Sequence, residues 1–92
     1  MVEPMDELVN ELRKKIVDSL NLQDVAPTDI DPDERLVGGR LGIDSIDVLE
    51  MVMLVEKEYG LTIDSRELGA RVFASVRALA GFINDAAAPM PN

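Results

Sequence analysis

Residues 41–61 read LGIDSIDVLEMVMLVEKEYGL, and the fold turns on how many apolar faces this stretch carries. Val48, Met51, Val52, Val55 and Tyr59 fall at i, i+3, i+4, i+7 and i+11, which is one helical stripe turned to a core. The helix should begin near Asp44 and end at Gly60, where glycine can take the left-handed conformation that closes a helix. Ile46, Leu49 and Met53 make a second stripe, rotated away from the first and interleaved with the acidic Asp47, Glu50 and Glu56. Two destinations are open to that surplus. The loop upstream folds over Ile46 and Leu49, with Met53 harder to cover, or the stripe is a docking face. Methionine adapts to several partners, and surrounding carboxylates would steer a basic patch onto it.

Upstream, Leu8, Val9, Leu12, Ile16 and Leu20 recur at helical spacing, with Pro4 suited to a first turn and Asn21 to an ending, so a helix spans about 4–20. From Asn21 to Ile43 no periodicity persists, and Pro27, Pro32, Gly38, Gly39 and Gly42 mark a long loop. A loop of that length is ordered only if its own apolar residues pack, and Leu22, Val25, Ile30, Leu36, Val37 and Leu41 are the candidates. Downstream, Asp64 with Glu67 three residues later suggests a capping box opening a short helix over 65–71. Ser75 then caps a final helix whose inward stripe is Val76, Leu79, Ala80 and Ile83. The fold class expected is all-α: a four-helix bundle of three main helices and one short one, with a long loop between helices one and two. One domain over residues 1–86 and a disordered tail over 87–92 complete the expectation.

Composition narrows the function. Ninety-two residues bury too little surface for two cores. Eighteen acidic residues against nine basic ones give a formal charge of −9, which opposes nucleic acid and anionic lipid and favours a basic protein partner. The chain has neither cysteine nor histidine, which removes thiolate and imidazole nucleophile chemistry and the usual zinc ligand sets. Catalysis by the chain itself is therefore not expected, nor is a resident metal. The acidic amphipathic start, MVEPMDELVNELRKK, is no signal peptide, and no segment approaches the length of a membrane span. A soluble, cytoplasmic protein without stable membrane insertion, monomeric, is the expectation.

The residues GIDSID, 42–47, raise the question of a site. Asp44 and Ser45 stand at the predicted helix start, where N-capping alone accounts for both. If Asp44 is the cap, Ser45 takes the first helical position with its hydroxyl free, on a turn whose amide groups and dipole favour a phosphate. Gly42 leaves the approach to that hydroxyl clear of side chain.

The stretch LGIDSIDVLEMVMLVEKEYGL resembles the attachment site and second helix of acyl carrier proteins, Gly42-Ile43-Asp44-Ser45-Ile46-Asp47 matching the family's Gly-x-Asp-Ser-Leu/Ile pattern. The likeness covers roughly residues 4–86. It implies that Ser45 carries 4′-phosphopantetheine, transferred from coenzyme A by a separate Mg²⁺-dependent phosphopantetheinyl transferase, with Asp44 and Gly42 assisting. It implies that acyl intermediates travel as thioesters on that arm, in fatty-acid or polyketide-type biosynthesis. Ile46, Asp47, Leu49, Glu50, Met53 and Glu56 then form the partner face, met by basic patches on acyl-transferring, condensing and reducing enzymes. Met51, Val55, Leu61, Ile63, Phe73 and Val76 are candidates to line an acyl-chain pocket, though ordinary core accounts for each of them singly. The sequence departs from the family's usual composition at Gly38-Gly39-Arg40, at Lys57, and at Arg66 and Arg71. The alternative is an acidic helical adaptor that binds partners through Ile46, Leu49 and Met53 without a prosthetic group.

Two weaker signals fail on inspection. Asp29, Asp31 and Asp33 imitate the start of a calcium loop, but Glu34 stands where its turn glycine belongs and Arg40 where its bidentate glutamate belongs. The run GGRLG lacks the Lys-Ser/Thr of a phosphate-binding loop.

Overall fold

A computed structural model describes residues 4–87. Among them four helices appear and no strand: α1 (Pro4–Ser19), α2 (Ser45–Tyr59), α3 (Arg66–Val72) and α4 (Val76–Ala87), with a 3-10 turn at Pro27–Asp29. This is the all-helical bundle with one short member that the periodicities and the capping signal predict. Helix α4 extends to Ala87, one residue into the segment assigned to a tail, and residues 88–92 of that segment lie outside the described ones.

Local chemistry sets each boundary. Asn21 takes a left-handed φ of 51°, and the amides of Asn21 and Leu22 turn back to the carbonyls of Asp18 and Val17, a Schellman closure of α1. Gly60, at φ 67°, ends α2 in the same left-handed way. The Ser75 hydroxyl accepts from the Ala78 amide at 3.0 Å and caps α4 as expected. At α3 the expectation is corrected: Ser65, not Asp64, is the cap, its Oγ accepting from the Leu68 amide at 3.0 Å. Both side chains can serve as acceptors, and the backbone enters the turn one residue later than the Asp64–Glu67 spacing suggests.

Val9, Leu12 and Ile16 of α1, Met51 and Val55 of α2, Val72 of α3 and the stripe Val76, Leu79, Ala80, Ile83 of α4 are all buried, with Phe73 between them. Val48, Val52 and Tyr59, the other members of the α2 stripe, are half-buried against this core. Helix α1 packs chiefly on α4, and α3 packs on α4 as well. A polar seam joins α1 to α2. The Tyr59 hydroxyl donates to Glu11 at 2.5 Å, and Lys15 pairs with Glu58 at 2.7 Å while lying 5.1 Å from the Tyr59 ring centre. Burial first, and then the Glu11 hydrogen bond, raise the Tyr59 phenol well above its ordinary value.

The long loop is ordered because it is pinned. Ile30, Leu36 and Ile43 are fully buried, and Leu22, Val25, Val37 and Leu41 pack partly into the core. Backbone bonds tie it to the bundle: Leu36 N donates to Ala74 O at 3.1 Å, and Arg77 N to Pro32 O at 2.9 Å. The loop's carboxylates are spent in the same work. Asp33 pairs with Arg77 at 2.6 Å, and Glu34 with Arg40 at 2.7 Å, a bond that holds Glu34 below the usual carboxylate range. Asp31 accepts from the Asp33 amide at 2.9 Å.

Candidate functional site

Everything at the start of α2 follows from the order of four residues, Ile43, Asp44, Ser45 and Asp47. Ile43 is buried, which anchors the chain as it leaves the loop. Asp44 follows in extended conformation, and its Oδ1 accepts from the amides of Ile46 at 3.0 Å and Asp47 at 3.1 Å. Asp47 reciprocates, its Oδ2 accepting from the Asp44 amide at 3.1 Å. A capping box built from two aspartates thus closes the turn, and Ser45, between them, is left exposed with no hydrogen bond to its hydroxyl among the described residues.

This geometry refines the expectation of a phosphate-favouring turn. Two of its free amides are already occupied by Asp44, and two carboxylates sit beside the dipole's positive end. A phosphate on Ser45 would be retained by its covalent bond rather than by a cradle of amides. Gly42 lies two residues before the cap at φ 73°, with nothing within 4 Å of where a Cβ would stand. The approach to Ser45 is open there, and the left-handed backbone favours glycine for its own sake.

The surplus stripe is not covered by the loop. Ile46 is 70% exposed, Leu49 63% and Met53 62%. Glu50 and Glu56 beside them are exposed as well. Asp47 differs from these: it is half-buried and committed to the cap, so it reaches the face as charge rather than as a free side chain. An apolar row flanked by carboxylates therefore runs from Ser45 down one side of α2.

On the adjoining side a cleft of ≈ 1100 Å³ opens between α2 and the segment carrying α3. Ser45 itself lines it, with Ile46, Val48, Leu49 and Val52 along one wall and Ile63 and Phe73 on the other. Of the six residues expected to line an acyl pocket, Ile63 and Phe73 line this cleft. Met51, Val55 and Val76 are completely buried in the core, and Leu61 packs half-buried outside the cleft. Val48 and Val52 are the wall residues that sequence reasoning placed in the core. Sitting at the edge of the core stripe is the one signal that could have marked them, because an edge position faces neither the core nor the solvent fully.

Comparison with known proteins bears on this arrangement directly. A family model described as "Phosphopantetheine attachment site" matches residues 10–83. An acyl carrier protein of Treponema pallidum is 35% identical over 79 residues, covering 86% of this chain and 94% of the relative. One from Campylobacter hominis is 32% identical over 79 residues, covering 86% and 92%. No solved structure matches. Four helices around an aliphatic core, a pinned loop, an exposed serine opening α2 and the span of the family match lead to one statement: the chain belongs to the phosphopantetheine-attachment family, as an acyl carrier protein.

Proposed function

We propose that Ser45 Oγ bears the 4′-phosphopantetheine arm, and that the chain carries acyl intermediates of fatty-acid or polyketide-type biosynthesis to partner enzymes. The observation that carries this reading is the division of labour at the start of α2. Asp44 and Asp47 do the capping, while the Ser45 hydroxyl is exposed, without a hydrogen bond among the described residues, and lines the cleft. The residues present fit the group. Ser45 supplies a primary alcohol for a phosphoester, Gly42 leaves room for a transferase, and the cleft walls are apolar. When bound, the arm supplies a thiol at which an acyl group is held as a thioester, chemistry that a chain without cysteine cannot provide itself.

The protein's own residues then position and present. Asp44 fixes the first turn so that Ser45 points outward at a rigid helix end. Ile46, Leu49 and Met53 offer an apolar contact for partner enzymes, and Glu50 and Glu56 attract basic patches around it. Those partners are the phosphopantetheinyl transferase and the acyl-transferring, condensing and reducing enzymes of the pathway. The chain acts as a carrier and not as a catalyst, as a cytoplasmic monomer. Among the described residues no helix is long and apolar enough to cross a membrane. An adaptor without a prosthetic group loses its support once the family is one defined by phosphopantetheine attachment.

Isolation of the chain from its source, followed by mass spectrometry of the Ser45 peptide, tests the cargo. A ladder of acyl thioesters spaced by two-carbon units supports a fatty-acid or polyketide-type role. A single aminoacyl species, or no thioester at all, contradicts it.

A further inference from the structure

The charged residues lining the cleft beside Ser45 are Arg35, Arg66 and Asp64, two cations and one anion in a chain whose formal charge is −9. Neither arginine forms an ion pair among the described residues, whereas Arg40 and Arg77 are both paired. Arg35 is also held in place. Its Nε donates to the Val37 carbonyl at 3.0 Å, which leaves the two terminal amino groups of the guanidinium available as donors. The Gly38-Gly39 turn lies against the Arg35 backbone and in ordinary contact with its side chain. A Cβ on Gly38 would stand 3.7 Å from Arg35 Nη2, and one on Gly39 would collide with the Arg35 carbonyl oxygen. Arg66 stands on the wall carrying α3, at that helix's first residue, with Ile63 and Phe73 in the same lining. An apolar cleft that hosted only hydrocarbon would gain nothing from two free guanidiniums in its lining.

We infer that this cleft takes an acyl chain ending in a carboxylate, its methylenes against Ile63, Phe73 and Val52 and its anionic end held by Arg35 and Arg66. The inference rests on the reading that Ser45 bears the arm, and it adds the chemical class of the cargo. Guanidinium matches a carboxylate in charge and in planar geometry. Asp64 opposes the same group, so the net attraction is that of two cations less one anion.

The sign of a titration decides the matter. Wild-type protein is loaded through the transferase with three coenzyme A derivatives: coenzyme A itself, a stable octanoyl amide, and a stable octanedioyl amide carrying ¹³C in its free carboxyl. Intact mass confirms each loading, and the ¹³C shift is then followed with pH. In the cleft the carboxyl titrates roughly 0.5–1 unit below the same group on free coenzyme A, the low end for a carboxylate beside arginine because both guanidiniums are solvent-exposed. Elsewhere on so acidic a surface it would titrate above the free value. The Arg35→Gln, Arg66→Gln double variant raises the midpoint above the free value and stays folded by circular dichroism, with at most a small drop in melting temperature from the lost Arg35–Val37 bond, since neither side chain is buried or, among the described residues, ion-paired. The arginine Nε–H resonances shift with octanedioyl cargo and not with the bare arm.

A wild-type midpoint at or above the free value overturns the inference. So do arginine shifts already complete with coenzyme A alone, which would make the phosphodiester the occupant. A chain that accepts none of the three derivatives overturns the reading of Ser45, and this inference with it, and intact mass identifies that case before any titration.

Discussion

Two methionines two residues apart on α2 receive opposite roles, and replacing each with alanine separates them. Met51 is completely buried and Met53 is 62% exposed. Truncating a fully buried methionine to alanine costs about 2–5 kcal/mol, from lost transfer energy and the cavity left behind. Domains are stable by roughly 0.05–0.15 kcal/mol per residue, so this is a large fraction of the total for a chain of 92 residues. At about 4–8 °C per kcal/mol for a domain of this size, even the low end lowers the melting midpoint by about 8–16 °C. Met53→Ala removes little buried surface and installs the best helix former, so the change stays within about 0.5 kcal/mol. Thermal and urea melts followed by far-ultraviolet circular dichroism measure both. The second half of the prediction concerns binding: Met53→Ala weakens association with the transferase, whereas Met51→Ala leaves it intact at temperatures where the variant is folded. Equal loss of stability in the two variants would refute the separation of faces. So would a Met53→Ala protein that associates as well as wild type.

Three further outcomes follow from named contacts. Asp44→Ala removes the acceptor for the Ile46 and Asp47 amides and should cost about 1–2 kcal/mol of stability in denaturant melts; no loss would show that Ser45 can replace it as cap. Tyr59 is the chain's single tyrosine, so tyrosinate absorbance reports one residue. Its phenol is raised in the folded state, chiefly by burial, so the stability it contributes is fully present below the unfolded value of about 10 and is lost as pH climbs through the higher folded value. Absorbance should stay flat through that ordinary midpoint and rise with helix loss above it, and normal titration with helicity intact would contradict the burial. Reversing Glu50 and Glu56 to Lys should slow association with the basic transferase and flatten its salt dependence, with a melting midpoint that holds or rises; unfolding of this variant, or unchanged kinetics at low salt, would remove α2 as the docking face.

How far the fold was legible in the sequence depends on the kind of signal. Periodicity located α1, α2 and α4 and a capping signal located α3, and residues whose role is local were read correctly: Asn21 and Gly60 as stops, Asp44 and Ser75 as caps. The second stripe was also visible, because Ile46, Leu49 and Met53 cannot face inward on the same helix as Met51 and Val55, but whether the loop covers Ile46 and Leu49 was left open and only the structure shows them exposed. Competition between equivalent groups was not legible. Asp64 and Ser65 are adjacent acceptors, and only the backbone path selects Ser65. Asp47 was read as a docking carboxylate, and that its Oδ2 also accepts from the Asp44 amide to close the cap was not foreseen. The cleft was the least legible part. Its walls depend on how closely α3 approaches α2, and a helical pattern assigns Val52 to a face without saying whether a neighbour arrives there.

The central claim is that Ser45 alone carries the arm, and intact mass after incubation with coenzyme A and a phosphopantetheinyl transferase tests it most directly. Wild-type protein should gain one phosphopantetheine, mapped to Ser45, and Ser45→Ala should gain none while keeping its helicity, because Asp44 still caps α2. Full labelling of Ser45→Ala, or label on Ser19, Ser65 or Ser75 of the wild type, would contradict the account.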